Sequence, residues 1–387
     1  MIELCANWNY PNQVSVGAGC IGELAEACKQ LGIQSPLFVT DPGLAALPMV
    51  HDAVARCHEA KLRCGIFSNI QGNPTGQNVS DGVDAYRAGA YDGVIAFGGG
   101  SGLDAGKAVA LMVGQERPLW DFEDVGDNWT RVNADGIASI VAVPTTAGTG
   151  SEVGRASVIT DMERQVKKVI FHPKMLPSRV ILDPELTLAL PAKITAATGM
   201  DALSHNLEAF CSPAYHPMAD GIAMEGIRLV KDFLPRAVEN GNDLEARAQM
   251  LVASLMGATA FQKGLGGMHA IAHSLGAVYG AHHGLLNAIL MPYILKANRE
   301  VIAARIERLG GYLQLNNPSF DGFMEWVLTM RHQVGIPHEL SAIDIDATQA
   351  ERIGKMAVSD PAADGNPVVF SVERYAEIFT DAVSGKL

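Results

Sequence analysis

The sequence contains few aromatic and few charged residues. Of its 387 residues, 6% are aromatic, 18% are charged and 48% are hydrophobic. This composition excludes an intrinsically disordered chain, and the length suffices for two or three domains. No apolar run reaches the length of about 18 residues that a membrane-spanning helix needs, so we expect no membrane association. The first residues lack a basic segment followed by an apolar one, and we therefore expect a cytoplasmic protein.

Basic residues are also in the minority. The chain has 29 Lys and Arg against 42 Asp and Glu, which gives a formal net charge of −13. An acidic protein has no general attraction for a phosphate backbone. We therefore expect no nucleic-acid partner.

The cysteines lack the spacing of a metal site or of a redox motif. No Cys-x-x-Cys pair is present, and five of the six cysteines fall within the first 64 residues. This pattern predicts free thiols in a reducing compartment. The six are Cys5, Cys20, Cys28, Cys57, Cys64 and Cys211.

The first half of the chain alternates strand-like and helix-like segments. Short apolar runs that end in turn residues predict strands at 36–41, 63–67, 92–97 and 137–143. Helix-compatible stretches, such as 21–31 and 82–90, lie between these runs. This alternation is typical of a parallel α/β domain.

After about residue 185 the strand pattern ends. The rest of the chain has helical spacing of apolar residues, for example at 219–234, 243–259 and 298–309. We therefore divide the chain into an α/β domain, residues 1–185, and a mainly helical domain, residues 186–387.

A glycine-rich loop follows the third predicted strand. Gly98, Gly99, Gly100 and Ser101 connect that strand to a helix-like run. Such a loop lets the backbone approach a pyrophosphate, whose negative charge the helix N-terminus favours. The G-x-G-x-x-[GA] pattern is weak by itself, and a tight structural turn is the alternative.

Two further features strengthen the interpretation as a nucleotide site. Residues 144–152, rich in threonine and glycine, follow another predicted strand, and the carboxyl ends of parallel strands lie at one edge of a sheet. Asp41 ends the first strong strand, where a carboxylate can bind a ribose and repel a 2′-phosphate. The alternative for Asp41 is a helix cap or an Asp-Pro turn.

Histidines cluster in the second half of the chain. Six of the eleven fall between residues 205 and 283. Asp201 and His205 are four residues apart, as are His269 and His273, so each pair projects from one face of a helix. With His283 these residues form a nitrogen and oxygen donor set that suits Fe²⁺, Zn²⁺, Ni²⁺ or Co²⁺. The spacing does not decide which of the later histidines, which include His282, bind the ion.

Taken together and in this order, the motifs resemble those of the iron-containing (group III) alcohol dehydrogenases. The resemblance covers nearly the whole chain. It implies a Rossmann-like N-terminal domain that binds a dinucleotide and an all-helical C-terminal domain that binds a metal, the architecture shared with dehydroquinate synthase.

The resemblance also implies roles for individual residues. It makes Asp201, His205, His269 and His283 the metal ligands and His273 a catalytic histidine that does not bind the ion. It makes Asp41 a residue that favours NAD over NADP and Lys167 a ribose contact. The other implied cofactor-binding residues are Gly98, Gly99, Gly100, Ser101, Asp104, Thr145, Thr146 and Thr149.

The implied activity is that of a metal-dependent, NAD(H)-linked alcohol dehydrogenase or aldehyde reductase. Fe²⁺ is the expected ion, with Zn²⁺ and Ni²⁺ as alternatives, and a homodimer or larger homo-oligomer is the expected assembly. Two alternatives share the architecture: an enzyme like dehydroquinate synthase and a glycerol or glycerol-phosphate dehydrogenase.

Two basic residues lie next to the implied site motifs. Arg155 follows the threonine-rich loop, and Lys263 precedes His269 by six residues. Either could contact an anionic substrate. We expect a surface or interdomain ion pair for them instead.

Overall fold

The computed structural model describes residues 12–387 and divides them into two compact units. Residues 12–146 and 150–189 form an α/β unit, and residues 147–149 and 190–387 form a helical unit. Cys5 and the N-terminal segment that bears on the cytoplasmic prediction lie outside the described residues.

A six-stranded sheet forms the centre of the α/β unit. Its strands are β1 Gln13–Val16, β2 Pro36–Val39, β3 Gly65–Phe67, β4 Gly93–Gly98, β5 Ser139–Pro144 and β8 Arg179–Leu182. All six are parallel, in the order β1-β8-β5-β4-β2-β3. An antiparallel hairpin, β6 Ala156–Asp161 and β7 Val166–Phe171, completes the strands described in this unit.

The predicted strands at 36–41, 63–67, 92–97 and 137–143 correspond to β2, β3, β4 and β5. The central strands β2 and β4 are fully buried, as parallel strands covered on both faces must be. Phe38 and Phe97 pack against each other there, with ring centroids 4.9 Å apart. The sequence patterns did not reveal β1 or the hairpin.

Helices connect the parallel strands. The predicted helix at 21–31 begins with a 3₁₀ turn at Cys20–Glu23, and the one at 82–90 begins earlier than expected. The helices of this unit are α1 Leu24–Gln30, α2 Pro42–Ala45, α3 Pro48–Glu59, α4 Gly76–Ala88 and α5 Gly100–Met112.

The helical unit contains α6 Ala192–Cys211, α7 Pro217–Glu239, α8 Leu244–Ala260, α9 Gly267–Tyr279, α10 His283–Tyr312, α11 Phe320–Gln333, α12 Ala350–Val358 and α13 Val372–Ser384. It is built around α6, which packs against α7, α8 and α10. Most α6 side chains are buried, because neighbouring helices surround it. A parallel α/β unit followed by a helical unit confirms the predicted fold class.

The described residues bear on the predictions about the cysteines and about membrane-spanning helices. Cys20, Cys28, Cys57, Cys64 and Cys211 are all free thiols. Among residues 12–387, no helix combines the length and apolar character needed to cross a bilayer.

Candidate active site

Three helices bring the four predicted metal ligands together in the helical unit. Asp201 and His205 lie one turn apart on α6, His269 lies in the first turn of α9, and His283 is the first residue of α10. One donor atom from each residue lies within 4.8 Å of the donor atoms of the other three. The first three side chains are buried, and His283 is 23% exposed. His273 lies beside this cluster but is not part of the donor set.

Hydrogen bonds orient two of the imidazoles. The Nδ1 atom of His205 lies 3.1 Å from the Gly148 carbonyl, and the Nδ1 atom of His269 lies 2.6 Å from a Glu208 carboxylate oxygen. A proton on each Nδ1 leaves a lone pair on Nε2, which is the form of histidine that binds a metal. Burial, together with the nearby His205, lowers the pKa of His269 well below its ordinary value and keeps it neutral.

Glu208 is a buried carboxylate that organises the start of α9. Its two oxygens accept hydrogen bonds from the backbone N–H groups of Gly266 and Met268, at 2.9 and 2.7 Å, in addition to the contact with His269. Burial raises the pKa of Glu208 to about 7. A carboxylate behind a ligand histidine is a frequent second contact in metal sites.

A glycine allows α10 to begin close to α6. A Cβ atom on Gly284 would lie 2.5 Å from the carbonyl oxygen of Ala197, a distance that no side chain tolerates. His283 can therefore approach Asp201, and its Nε2 lies 3.6 Å from an Asp201 carboxylate oxygen.

A different carboxylate holds His273. Its Nδ1 atom lies 3.0 and 3.2 Å from the two oxygens of Asp360, two residues after the end of α12. The imidazole also stacks on that of His283, with ring centroids 5.3 Å apart. This arrangement leaves the Nε2 atom of His273 available for other contacts.

The donor set fits a divalent transition metal. Three imidazole nitrogens and one carboxylate oxygen converge, and hydrogen bonds at Nδ1 orient two of the imidazoles. The absence of thiolates distinguishes this set from most structural zinc sites.

The two predicted nucleotide loops are neighbours in the α/β unit. Strands β4 and β5 pair in register, with Gly98 opposite Pro144, and the N–H of Thr145 donates to the Gly98 carbonyl at 3.0 Å. Gly99 caps α5, and a Cβ atom there would lie 3.3 Å from Thr146. The half-buried start of a helix therefore lies beside a threonine loop at the carboxyl edge of the sheet.

Asp41 lies next to this loop and also caps a helix. One of its carboxylate oxygens accepts a hydrogen bond from the N–H of Leu44 at 3.0 Å, in the first turn of α2. The other oxygen would lie 3.8 Å from a Cβ atom placed on Gly98. The capping role that the sequence left open is thus real, and the carboxylate is also near the glycine loop.

Asp104 has structural partners in α5 and the hairpin. It accepts hydrogen bonds from the Ser151 hydroxyl and the Val158 N–H, and it lies 3.4 Å from the buried ammonium of Lys107. These contacts attach α5 to the hairpin. A contact of Asp104 with the cofactor stays a prediction.

Asn73 joins two of the other predicted cofactor residues. The Lys167 ammonium donates to its side-chain oxygen at 2.8 Å, and its backbone N–H donates to the Ser101 hydroxyl at 3.3 Å. Asn73 has a positive φ of 56°, which asparagine tolerates better than most residues. Thr149, which was also predicted to bind the cofactor, belongs to the helical unit.

The ion pair expected for Lys263 is neither on the surface nor between domains. Its side chain is fully buried, and its ammonium contacts the Asp220 carboxylate at 2.5 Å and the Phe210 carbonyl at 3.2 Å, all within the helical unit. Arg155 packs over the ring of Phe171 at 5.6 Å from its centroid.

Comparisons with known proteins show which family the chain belongs to. Residues 11–184 match the profile of the iron-containing alcohol dehydrogenases, and residues 195–383 match the profile of the C-terminal part of the same family. The chain belongs to the iron-containing alcohol dehydrogenase family. It is therefore an oxidoreductase that acts on CH–OH groups, and the resemblance inferred from the motifs is confirmed.

Relatives within this family cover nearly the whole chain. A 4-hydroxybutyrate dehydrogenase from Cupriavidus necator is 35% identical over 97% of this chain and 99% of the relative. An NAD-dependent methanol dehydrogenase from Bacillus methanolicus is 33% identical over 97% of this chain and 100% of the relative. The crystal structure of a 1,3-propanediol oxidoreductase superposes with a TM-score of 0.93 at 34% identity and covers 97% of this chain and 100% of that chain.

Proposed function

We propose that this iron-containing alcohol dehydrogenase interconverts short primary alcohols and their aldehydes, with NAD(H) and a divalent metal as cofactors. The convergence of four donor atoms within 4.8 Å carries the proposal. Asp201, His205, His269 and His283 are the ligands, and Fe²⁺ is the ion we expect. The substrate class rests on the relatives, whose names specify 4-hydroxybutyrate, methanol and 1,3-propanediol.

The residues of the helical unit prepare the centre for catalysis. When bound, the ion would supply Lewis acidity that lowers the pKa of an alcohol hydroxyl, and NAD would supply the hydride acceptor. Glu208 and the Gly148 carbonyl hold His269 and His205 through their Nδ1 atoms, so that Nε2 is the nitrogen left for the ion. Burial of these groups strengthens every charge interaction at the centre.

His273 is the residue that moves the proton. Asp360 holds its Nδ1 atom and so fixes the orientation of the ring. Its Nε2 atom then exchanges the proton that the alcohol loses or the aldehyde gains, as a histidine that acts as a general acid or base does.

The α/β unit supplies the cofactor site. The N–H groups at the start of α5, at Gly99 and Gly100, bind the pyrophosphate, with Thr145 and Thr146 beside them. The negative charge of Asp41 favours NAD by repelling the 2′-phosphate of NADP. We assign residues 1–185 to the cofactor domain and 186–387 to the metal domain. A homodimer or larger assembly and a cytoplasmic location remain predictions.

An NADH assay with controlled metal content tests this function. Metal-free protein is reconstituted with Fe²⁺, Zn²⁺ or Ni²⁺, and absorbance at 340 nm is followed over a panel of short alcohols, diols, hydroxy acids and aldehydes. We expect turnover that depends on the ion and is fastest with short primary alcohols or their aldehydes.

Replacement of a ligand should abolish two properties together. His205→Ala removes one buried nitrogen from the donor set, so we expect loss of both the bound ion, measured by elemental analysis, and turnover. His332→Ala changes an exposed histidine of α11 and should affect neither. A His205→Ala protein that loses the ion but keeps the full rate would contradict the assignment.

A further inference from the structure

A buried lysine of α5 lies where the threonine-rich loop ends. Lys107 follows the start of the helix by two turns and is 1% exposed. Its ammonium donates hydrogen bonds to the backbone carbonyls of Ser151, at 2.9 Å, of Gly154, at 3.5 Å, and of Ala156. The segment that follows the loop is thus wrapped around one charged group.

The three carbonyls, here called the carbonyl cage, match the donors of an ammonium group. An ammonium has three N–H donors and no acceptor, so each carbonyl can receive one proton. Burial lowers the pKa of Lys107, whereas the Asp104 carboxylate, 3.4 Å away, raises it and supplies the opposite charge. Backbone carbonyls grouped in this way also hold bare monovalent cations in other proteins. The carbonyl cage is therefore a cation site that the lysine fills.

Helix α5 holds both ends of the threonine-rich loop. The N–H of Thr145 donates to the Gly98 carbonyl at 3.0 Å, which attaches the beginning of the loop next to the start of the helix. The end of the loop is attached farther along the helix, by the carbonyl cage and by the Ser151 hydroxyl, which donates to Asp104 at 2.5 Å. The N–H groups that we assign to the pyrophosphate lie at the start of this same helix.

We propose that Lys107 is a positioning residue for the cofactor. Its ammonium acts as a tethered cation in the carbonyl cage and sets where the threonine-rich loop lies relative to the start of α5. Lys107 itself contacts no cofactor atom, because the carbonyls take its three protons. This inference rests on the proposed NAD(H) site.

A positioning role differs from a purely structural one in what the folded protein does. Loss of the buried ammonium leaves the carbonyls and Asp104 without their partner, so it lowers the free energy of unfolding in both cases. Only the positioning role also weakens NADH binding by the protein that remains folded, because the loop then shifts away from the helix start. NADH affinity measured well below the melting temperature separates the two.

Removal of the side chain followed by chemical rescue tests the proposal. Lys107→Ala lacks the ammonium and leaves a space of the size of n-propylammonium. We titrate NADH fluorescence at a temperature at which circular dichroism shows a folded protein. We expect binding about tenfold weaker than in the wild type and its recovery with n-propylammonium. Tetramethylammonium has the same charge but no N–H donor, so it should not restore binding.

A second buried lysine of the α/β unit provides the control. Lys168, on β7, pairs with Glu123 at 3.1 Å and with Asp161 at 3.3 Å, and both partners lie outside the loop and the carbonyl cage. Lys168→Ala should lower the melting temperature but leave NADH affinity unchanged. A folded Lys107→Ala protein with wild-type NADH affinity would overturn the inference, and so would equal recovery with the two ammonium ions.

Metal content and wild-type binding separate this inference from the proposed function. Lys107→Ala should keep the metal content of the wild type, because the four proposed ligands lie in the helical unit. A wild-type protein that binds no NADH would refute the cofactor site itself and the inference with it.

A crystal structure of the wild-type protein with NADH decides the question if Lys107→Ala does not fold. The inference is supported if the Lys107 ammonium stays in the carbonyl cage while Thr145 or Thr146 contacts the cofactor. It is overturned if the ammonium binds the cofactor directly, or if neither threonine contacts it.

Discussion

Two histidines at the metal centre are oriented by carboxylates that are not themselves metal ligands. Glu208 holds His269 through a hydrogen bond of 2.6 Å, and Asp360 holds His273 through one of 3.0 Å. Both carboxylates select the proton position of an imidazole, and with it the nitrogen that is available for chemistry. The reactivity of the histidines is therefore set partly by their neighbours.

Glu208→Gln tests this dependence. The amide keeps the shape of the side chain but replaces one acceptor by a donor, which must face a backbone N–H or the Nδ1 proton of His269. We expect a 10- to 100-fold loss of metal affinity, about 1.4 to 3 kcal/mol, measured by competition with a chelator.

An exposed glutamate supplies the matched control. Glu307→Gln changes a surface residue of α10 and should leave the metal affinity unchanged. Circular dichroism checks that both variants fold. A folded Glu208→Gln protein with wild-type affinity would show that this carboxylate does not orient the ligand.

Short structural elements position the groups of the cofactor site. The β4–α5 turn needs Gly98, whose φ of 141° is rarely adopted by other residues. The same turn places its backbone beside Thr145 and Asp41. A strand end, a helix start and a threonine loop are thus combined within one edge of the sheet.

Gly98→Ala should distort this turn. The strained backbone costs about 1 to 3 kcal/mol, and the new Cβ atom would meet Leu44 at 3.2 Å. We expect weaker NADH binding in a fluorescence titration and unchanged metal content.

Gly22→Ala is the control for this change. A Cβ atom at Gly22 has no neighbour closer than 4.0 Å, and its φ is ordinary, so NADH binding should remain as in the wild type. Equal NADH affinity of the wild type and a folded Gly98→Ala protein would argue against a cofactor role for the loop.

The whole molecule contains two units with separate hydrophobic cores. One core lies in the α/β unit and includes Phe38 and Phe97, and the other lies among the helices and includes Leu203 and Ile289. The four proposed ligands all belong to the helical unit. A bound ion should therefore stabilise that unit by mass action.

Metal removal tests this expectation across the chain. We expect chelation to increase amide hydrogen exchange in α6, α9 and the start of α10, while the amides of β2, β4 and β5 keep their protection. An ion at 100 times its Kd stabilises the unit that binds it by about 2.7 kcal/mol. Mass spectrometry of peptides from each unit measures the difference. Equal loss of protection in both units would contradict the separation.

Much of the architecture was predictable from local sequence patterns. The runs at 36–41 and 92–97 became β2 and β4, because a buried parallel strand is a continuous apolar run. The four-residue spacing of Asp201 and His205 placed both on one face of α6, because that spacing is about one helical turn. The short edge strand β1 and the hairpin were missed, since partly exposed strands lack such runs.

The sequence by itself determined most of the elements, the glycine and threonine loops and the candidate ligands, because these depend on neighbours a few residues away. The tertiary structure alone decided which distant groups meet. Glu208 contacts His269 across 61 residues, and Asp360 contacts His273 across 87. Asn287 meets Asp201 across 86 residues, and Lys263 finds Asp220 across 43. Such pairs arise from the packing of helices, and the spacing of residues along one helix does not specify them.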